Sequence, residues 1–213
     1  MLTIHHLNTS QSERILWLCE ELGVPCEVKH HQRDAVTRLA PPELRALTPM
    51  GTAPVMQDGE ITMGESGAIV EYIIHKYGGG RLALLPSHPD YAQYLFWFHF
   101  ANATLQPMMH RNMFLSRLNV PADNAFGIGT RQRLERGLDA VETRLRANEW
   151  LAGREFTAAD IMIVFTLTTM RIFMPLELKP WPAILAYLQR VGARPAYQRA
   201  MKRGDPSLVP MLT

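Results

Sequence analysis

Cysteine is nearly absent: Cys19 and Cys26 are the only two in 213 residues. They support neither a disulfide framework nor a CxxC redox pair. Cys19, set among Trp17, Leu18 and Leu22, reads as a small buried hydrophobe, and both thiols are expected to be structural. Excess charge of one sign is missing too. The 22 Lys and Arg against 20 Asp and Glu leave a net +2, and no basic run marks a nucleic-acid or membrane surface. No apolar stretch approaches the length of a membrane span, and MLTIHHLNTS has no basic segment leading into a long apolar one. A cytoplasmic protein with neither nucleic acid nor membrane as partner is expected. The eight histidines show no HxxxH or HExxH spacing, so no metal site is expected. Only His5-His6 and His30-His31, on neighbouring predicted strands, would bring imidazoles together.

What is present is the composition of a globular chain, 47% hydrophobic and 20% charged, long enough for one large domain or two small ones. The first ~80 residues alternate short β-like runs with helical ones. LTIHHL reads as a strand, and Ser12 to Leu22 as an amphipathic helix closed by Gly23. CEVKHH is a second strand and APPELRAL a short helix with prolines at its start. APVMQDGEITM holds two strands joined by Asp58-Gly59, a dipeptide suited to a tight turn. Glu65 to Tyr77 is helical, with Ile69, Ile73 and Tyr77 on one face. After RLALLPSHPD the apolar residues repeat only at helical spacing. Helices are expected at about 89–118, 125–148, 158–172, 182–191 and 195–202. The fold class is therefore α/β followed by all-α: 1–79, a linker at 80–88, and a helical domain at 89–213.

Four stretches carry more than packing. NTSQSER, between the first strand and the first helix, crowds hydroxyl and amide side chains into one turn. Pro54 stands at the start of a strand, where proline is confined to edges and special turns. If the Ala53-Pro54 bond is cis, the Val55 backbone turns outward and can pair with an extended peptide. Glu65-Ser66 opens a helix, either as an ordinary cap or as a seat for a ligand carboxylate and ammonium. Thr157-Ala-Ala-Asp160 before IMIVFTL is a capping-box pattern and is read as structural. In the helical half, Met108, Met109, Asn112 and Met113 share one helix, and flexible thioethers suit varied apolar ligands. His99, among Phe and Trp, reads as core.

In that order and at those separations, LTIHHLNTSQSERILWLCEELG, TPMGTAPVMQDG, GESGAIVEYI and TAADIMI resemble the cytosolic glutathione transferases over essentially the whole chain. The resemblance implies a thioredoxin-like N-terminal domain (βαβαββα) holding glutathione, a helical domain holding a small hydrophobic electrophile, and a homodimer. It also implies the contacts to the tripeptide. Thr52, Ala53, Pro54 and Val55 would face its cysteinyl part, with Pro54 cis, while Glu65 and Ser66 would anchor the γ-glutamyl end. Many relatives carry Lys or Gln where this chain has Thr52, which implies either weaker glutathione binding or a contact from Arg33 or Arg38, each of which otherwise reads as a solvated charge. For substrate, Met108, Met109, Asn112 and Met113 are the candidates.

The reaction so implied begins with the glutathione thiolate. A thiol of pKa near ~8.5 is only about 3% ionised at pH 7, and lowering that pKa by ~2 units takes about 2.7 kcal/mol. A hydroxyl donor and a helix N-terminus, each contributing on the order of 1 kcal/mol or more, suffice. A theta-like frame, with a Ser-Gln pair four residues before an Arg, selects Ser10, Gln11 and Arg14. A phi-like frame selects Thr9, Asn8 offers an amide, and Ser12 is expected to cap the helix. The alternatives on the same fold are a glutathione-dependent peroxidase, dehalogenase or isomerase, and a non-catalytic binding protein.

Overall fold

The computed structural model describes residues 1–213, which divide into two compact units. The first comprises Met1–Ala83 together with Gly192–Pro210, the second Leu84–Val191 with Met211–Thr213. The first boundary, between Ala83 and Leu84, falls within the linker expected at 80–88, and the segment Gly192–Pro210 belongs to the first unit. The chain returns to its first unit near the end, because the last helix carries an apolar face that packs on the first one.

In the first unit, β1 (Leu2–Leu7) is followed by α1 (Glu13–Leu22), β2 (Glu27–His31), α2 (Pro42–Arg45), β3 (Val55–Asp58), β4 (Ile61–Met63) and α3 (Ser66–Lys76). The sheet order is β2-β1-β3-β4, with β2 parallel to β1 and both remaining pairings antiparallel. All six residues of β1 are buried, as befits a central strand covered on both faces. Leu7 of β1 clusters with Leu44 of α2, Ala53 and Val55. Trp17 of α1 meets Tyr197 of α9 (Pro195–Gly204) edge to face at 4.9 Å. Arg194 grips Glu21 through two hydrogen bonds of 2.7 and 2.8 Å.

The β3–β4 turn differs from the expectation. Asp58 stays in the strand opposite Ile61, and Gly59, at φ 61°, takes the first loop position, where hairpin turns need positive φ. Asp58 is kept in the ladder because α3 and its C-cap supply three donors to Oδ2: Lys76 Nζ and Tyr77 Oη at 2.6 Å and Tyr72 Oη at 2.8 Å. Lys76, then the tyrosines, hold its carboxyl down at about 2. A carboxyl depressed by folding contributes stability above its unfolded pKa of ~4 that is lost as pH falls toward 2. Asp58→Asn is expected to lower Tm at pH 7, with the gap from wild type closing between pH 4 and 2 in thermal melts.

The second unit is helical: α4 (Tyr91–Phe100), α5 (Gln106–Arg117), α6 (Ala125–Ala147), α7 (Ala158–Leu167) and α8 (Pro182–Gly192). The single helix expected at 89–118 is interrupted by a π turn at Ala101–Leu105, where Gln106 N–H reaches back to Ala101. Pro107 explains it: a proline inside a helix lacks its own N–H and presses on the carbonyl four residues back. The helix expected at 158–172 ends at Leu167, and a 3₁₀ turn follows at Thr169–Ile172. Every residue of α7 is buried. Thr157 and Asp160 form the capping box at its start, and the Asp160 carboxylate also accepts from Leu151 N–H at 3.0 Å and Tyr187 Oη at 3.1 Å. Glu142 of α6 accepts from the N–H groups of Ala183 and Ile184, satisfying the start of α8. No helix is long and apolar enough to cross a membrane.

Candidate functional site

Three segments meet at one end of the sheet because of how the strands run. Antiparallel pairing of His5 with Val55 sets the turn after β1 beside the start of β3. Pairing of Met56 with Met63 brings the end of β4, and so the start of α3, to the same end. Val55 lies beyond that β3–β4 register, so the ladder stops one residue short of it. The Ala53–Pro54 peptide is cis, as the resemblance implied, while Thr52 is exposed.

At the start of α3, Glu65 takes φ 63°, a conformation non-glycine residues adopt at some cost and mostly at functional sites. Its side chain makes no cap hydrogen bond and is exposed. Ser66 is buried, and its Oγ accepts from Arg14 Nη1 at 3.1 Å. The same nitrogen donates to Gln11 Oε1 at 2.8 Å. Arg14 thus ties the turn after β1 to the head of α3. Burial lowers its pKa to about 9, which still leaves it a cation at neutral pH. A buried cation behind a helix N-terminus makes this corner attractive to a carboxylate.

The turn itself rearranges the expected roles. Ser12 does not cap α1: its backbone is already helical, at φ −66° and ψ −17°, and its side chain makes no cap bond. Its Oγ turns inward, accepting from Leu7 N–H at 3.2 Å and lying 2.9 Å from His6 Nδ1. The capping task passes to Ser10, whose Oγ accepts from Ser12 N–H at 3.2 Å and lies 2.7 Å from Ser12 Oγ. Thr9 sits at φ 49°, and its N–H donates to Asp205 Oδ2 at 3.1 Å. Its hydroxyl is buried without a hydrogen-bond partner. The Asn8 carbonyl side chain accepts from Arg33 N–H at 3.0 Å. Arg33 also donates to the backbone oxygens of Asn8, Thr9 and Arg38. It clamps the turn, while Arg38 is exposed at φ 61°.

His6, Arg14 and Asp205 are the residues that sequence reasoning did not assign a role here. Arg14 was visible as a marker of frame, whereas Asp205, in KRGDPSL, carries no local signal. Its carboxylate accepts from Thr9 and lies 3.2 Å from His6 Nε2. A Cβ on Gly204 would stand 2.9 Å from Leu16 Cδ1 and 3.0 Å from His6 Cε1. Gly204→Ala is therefore expected to displace both, costing about 1–3 kcal/mol, visible as a lowered Tm and a perturbed His6 ring resonance.

Away from this corner, His5 and His31 stack at 5.3 Å and share a 3.0 Å hydrogen bond. Cys19 is buried, and a hydrogen bond from its thiol holds Cys26 down at about 7. Cys26 is half-buried.

The four substrate candidates do not act as one face. Met109 is 1% exposed, in the core. The Asn112 amide donates to the Met108 and Thr130 carbonyls, joining α5 to α6. Met113, with Asn112, lines a cavity of about 410 Å³ formed with Leu134, Leu138, Phe173 and Trp181. Met108 lines a separate cavity of about 310 Å³ beside Arg111, Phe126 and Arg133. Helical spacing grouped these residues, but their neighbours on α6 divide them.

Comparison with known proteins bears on this geometry. Residues 4–81 match the family model for the glutathione S-transferase N-terminal domain, and residues 129–195 that for its C-terminal domain. "Glutathione S-transferase 3" of Schizosaccharomyces pombe is 33% identical, the alignment covering 100% of this chain and 92% of that protein. Among solved structures, a glutathione S-transferase from Actinobacillus pleuropneumoniae is 29% identical with a TM-score of 0.87, covering 96% of this chain and 93% of its own. A theta class glutathione S-transferase from Xanthomonas axonopodis pv. citri, solved with glutathione bound, is 28% identical with a TM-score of 0.72, covering 93% and 96%. With its thioredoxin-like unit, its helical unit and both domain models matched in order, the chain belongs to the glutathione S-transferase family.

Proposed function

We propose that the enzyme binds glutathione at the corner formed by the Asn8–Ser12 turn, the cis-Pro54 loop and the head of α3, and activates its thiol for attack on a small hydrophobic electrophile. The observation that carries the reading is the convergence of these three segments at one sheet end, with a buried cation behind Ser66. Val55 offers an unpaired backbone edge to the cysteinyl part of the tripeptide, and the Glu65-Ser66 start of α3, backed by Arg14, takes its γ-glutamyl end. Ala53 and Pro54 shape that edge; exposed Thr52 adds little.

Ser10 is the hydroxyl at the sulfur in this reading. Asn8 is engaged by Arg33, and the Thr9 hydroxyl is turned into the protein, whereas Ser10 heads a chain of hydroxyls and has a proton to offer. The cavity bearing Met113 has the volume and the apolar lining for the electrophile. Exposed Phe96, Phe114 and Phe126 supply apolar surface for a homodimer, which sedimentation would measure, and a cytoplasmic setting suits a reduced thiol substrate.

Glutathione binding by calorimetry, with turnover of halogenated aromatics, hydroperoxides and maleyl compounds, tests the proposal. Conjugation of a halogenated aromatic is expected. Absence of glutathione binding would overturn the site, and tight binding without turnover of any of them would overturn catalysis.

A further inference from the structure

A line of hydrogen-bonding side chains runs from the Ser10 hydroxyl into the interior and ends on a carboxylate. Ser10 Oγ lies 2.7 Å from Ser12 Oγ, Ser12 Oγ 2.9 Å from His6 Nδ1, and His6 Nε2 3.2 Å from Asp205 Oδ2. All four residues are buried, none more than 8% exposed. The two ends have structural tasks, since Ser12 Oγ meets the Leu7 N–H and carbonyl and Asp205 accepts from the Thr9 N–H. His6 between them shares its face of β1 with Leu2 and Ile4, where an apolar residue would spare the cost of burying an imidazole.

A hydroxyl has a single proton, so the direction of the line is decided at its His6 end. When His6 is neutral and its Nε2–H donates to Asp205, Nδ1 is bare and Ser12 donates to it. Ser12 Oγ then accepts from Leu7 N–H and from Ser10, whose proton is turned inward. An imidazolium donates from both nitrogens. Ser12 Oγ then accepts from Leu7 N–H and from Nδ1, and its own proton goes to Ser10. The Ser10 proton is left free to point at a ligand. Both states satisfy the hydrogen bonds of the line, and the Leu7 carbonyl, 3.3 Å from Ser12 Oγ, is a rival acceptor for the Ser12 proton in each.

We propose that His6 receives, through Ser12 and Ser10, the proton that glutathione loses when it binds. The inference rests on the reading of Ser10 as the hydroxyl at the sulfur. The S–H bond breaks as its proton passes to Ser10 Oγ, the Ser10 proton passes to Ser12 Oγ, and the Ser12 proton passes to His6 Nδ1. The electron pair stays on sulfur, and the new imidazolium faces Asp205. One shift of protons creates the thiolate and turns the line into the orientation that donates to it.

The groups facing His6 from other elements are Asp205 beyond α9 and His30 on β2, edge-on at 5.7 Å. Arg203 of α9 bears on His30, and Arg33 bears on Asp205. His6 is a positioning residue here, since it acts on the sulfur through two hydroxyls.

The test is the fate of the proton in wild-type protein. Calorimetric titration with glutathione in buffers of different ionisation enthalpy counts protons released to solvent, and ultraviolet absorbance counts thiolates formed. Release well short of one proton per thiolate is expected, with nitrogen NMR showing both His6 ring nitrogens protonated on binding. His6→Asn, whose amide can still bond Ser12 but holds no proton, is expected to release about one proton per thiolate and to raise the bound thiol pKa by about one unit. Its rate would fall about tenfold at acidic pH and recover at alkaline pH, whereas a merely structural lesion would depress it throughout. Full proton release by the wild type with His6 still neutral would overturn the relay. If Ser10→Ala nonetheless raised the thiol pKa, the donor reading would stand without the relay. An unchanged thiol pKa in Ser10→Ala would overturn both.

Discussion

Ser10→Ala is expected to raise the pKa of bound glutathione and to lower kcat/KM by about 10- to 100-fold at pH 6.5–7, with little change in glutathione affinity. A hydrogen bond to a charged acceptor is worth about 1.5–3 kcal/mol, equivalent to roughly one to two pKa units. Affinity is expected to be spared because the proposed glutathione contacts lie elsewhere, in the Val55 backbone and at the Arg14-backed head of α3. The pH–rate profile is the decisive measurement. Its acid limb is expected to move toward the free-thiol value of ~8.5, so that rates converge with wild type at alkaline pH. Thr9→Ala is the control. Its hydroxyl is buried and unpartnered, so its removal is expected to leave the profile in place. A shift in Thr9→Ala with none in Ser10→Ala would move the donor by one residue.

Asp160→Ala is expected to be the most destabilising single change in the helical unit, by about 3–5 kcal/mol. It strips acceptors from Leu151 N–H at 3.0 Å, Thr157 N–H at 2.9 Å and Tyr187 Oη at 3.1 Å, all buried. Each orphaned donor costs about 1–3 kcal/mol, and the α7 cap is lost with them. In a domain of this size the deficit corresponds to a Tm lower by roughly 6–20 °C. The pH dependence has the opposite sign to that of Asp58. Burial, outweighing its hydrogen bonds, pushes the Asp160 carboxyl up to about 6. Its protonated form is thus favoured by folding, and the contribution is greatest below the unfolded pKa of ~4 and declines as pH rises through 6. Denaturation at pH 4, 5, 6 and 7 is expected to show that decline in wild type and its absence in Asp160→Ala.

The elements of the fold were legible because each rests on a local pattern. The alternation of CEVKHH marked β2, Gly23 ended α1, and Thr157-Asp160 announced α7. The site was legible to the extent that its pieces are contiguous: the NTSQSER turn, the Pro54 loop and Glu65-Ser66. Where sequence reasoning failed, the deciding interaction was distant or geometric. Ser12 before an apolar-periodic run looks like a cap whether or not it is one; the difference lies in a ψ of −17°, which no residue pattern encodes. The period of α5 assigned Met108, Met109, Asn112 and Met113 to one helix without revealing that α6 sends them to different surroundings. Asp205 was invisible because it meets Thr9 across 196 positions. The helix expected at 195–202 is present as α9, with Ala196, Tyr197 and Met201 on its buried side. Nothing in it named α1 as its partner.

The return of Gly192–Pro210 to the first unit also orders events during synthesis. Leu84–Val191 must leave the ribosome before α9 does, a delay of roughly 5 to 20 s at bacterial or eukaryotic elongation speeds. Throughout that interval Trp17 lacks Tyr197, Glu21 lacks Arg194, and the Thr9 backbone, held at positive φ, lacks the carboxylate that fixes it. The nascent strands can assemble, but the corner that would meet glutathione is finished only once α9 and Asp205 have emerged.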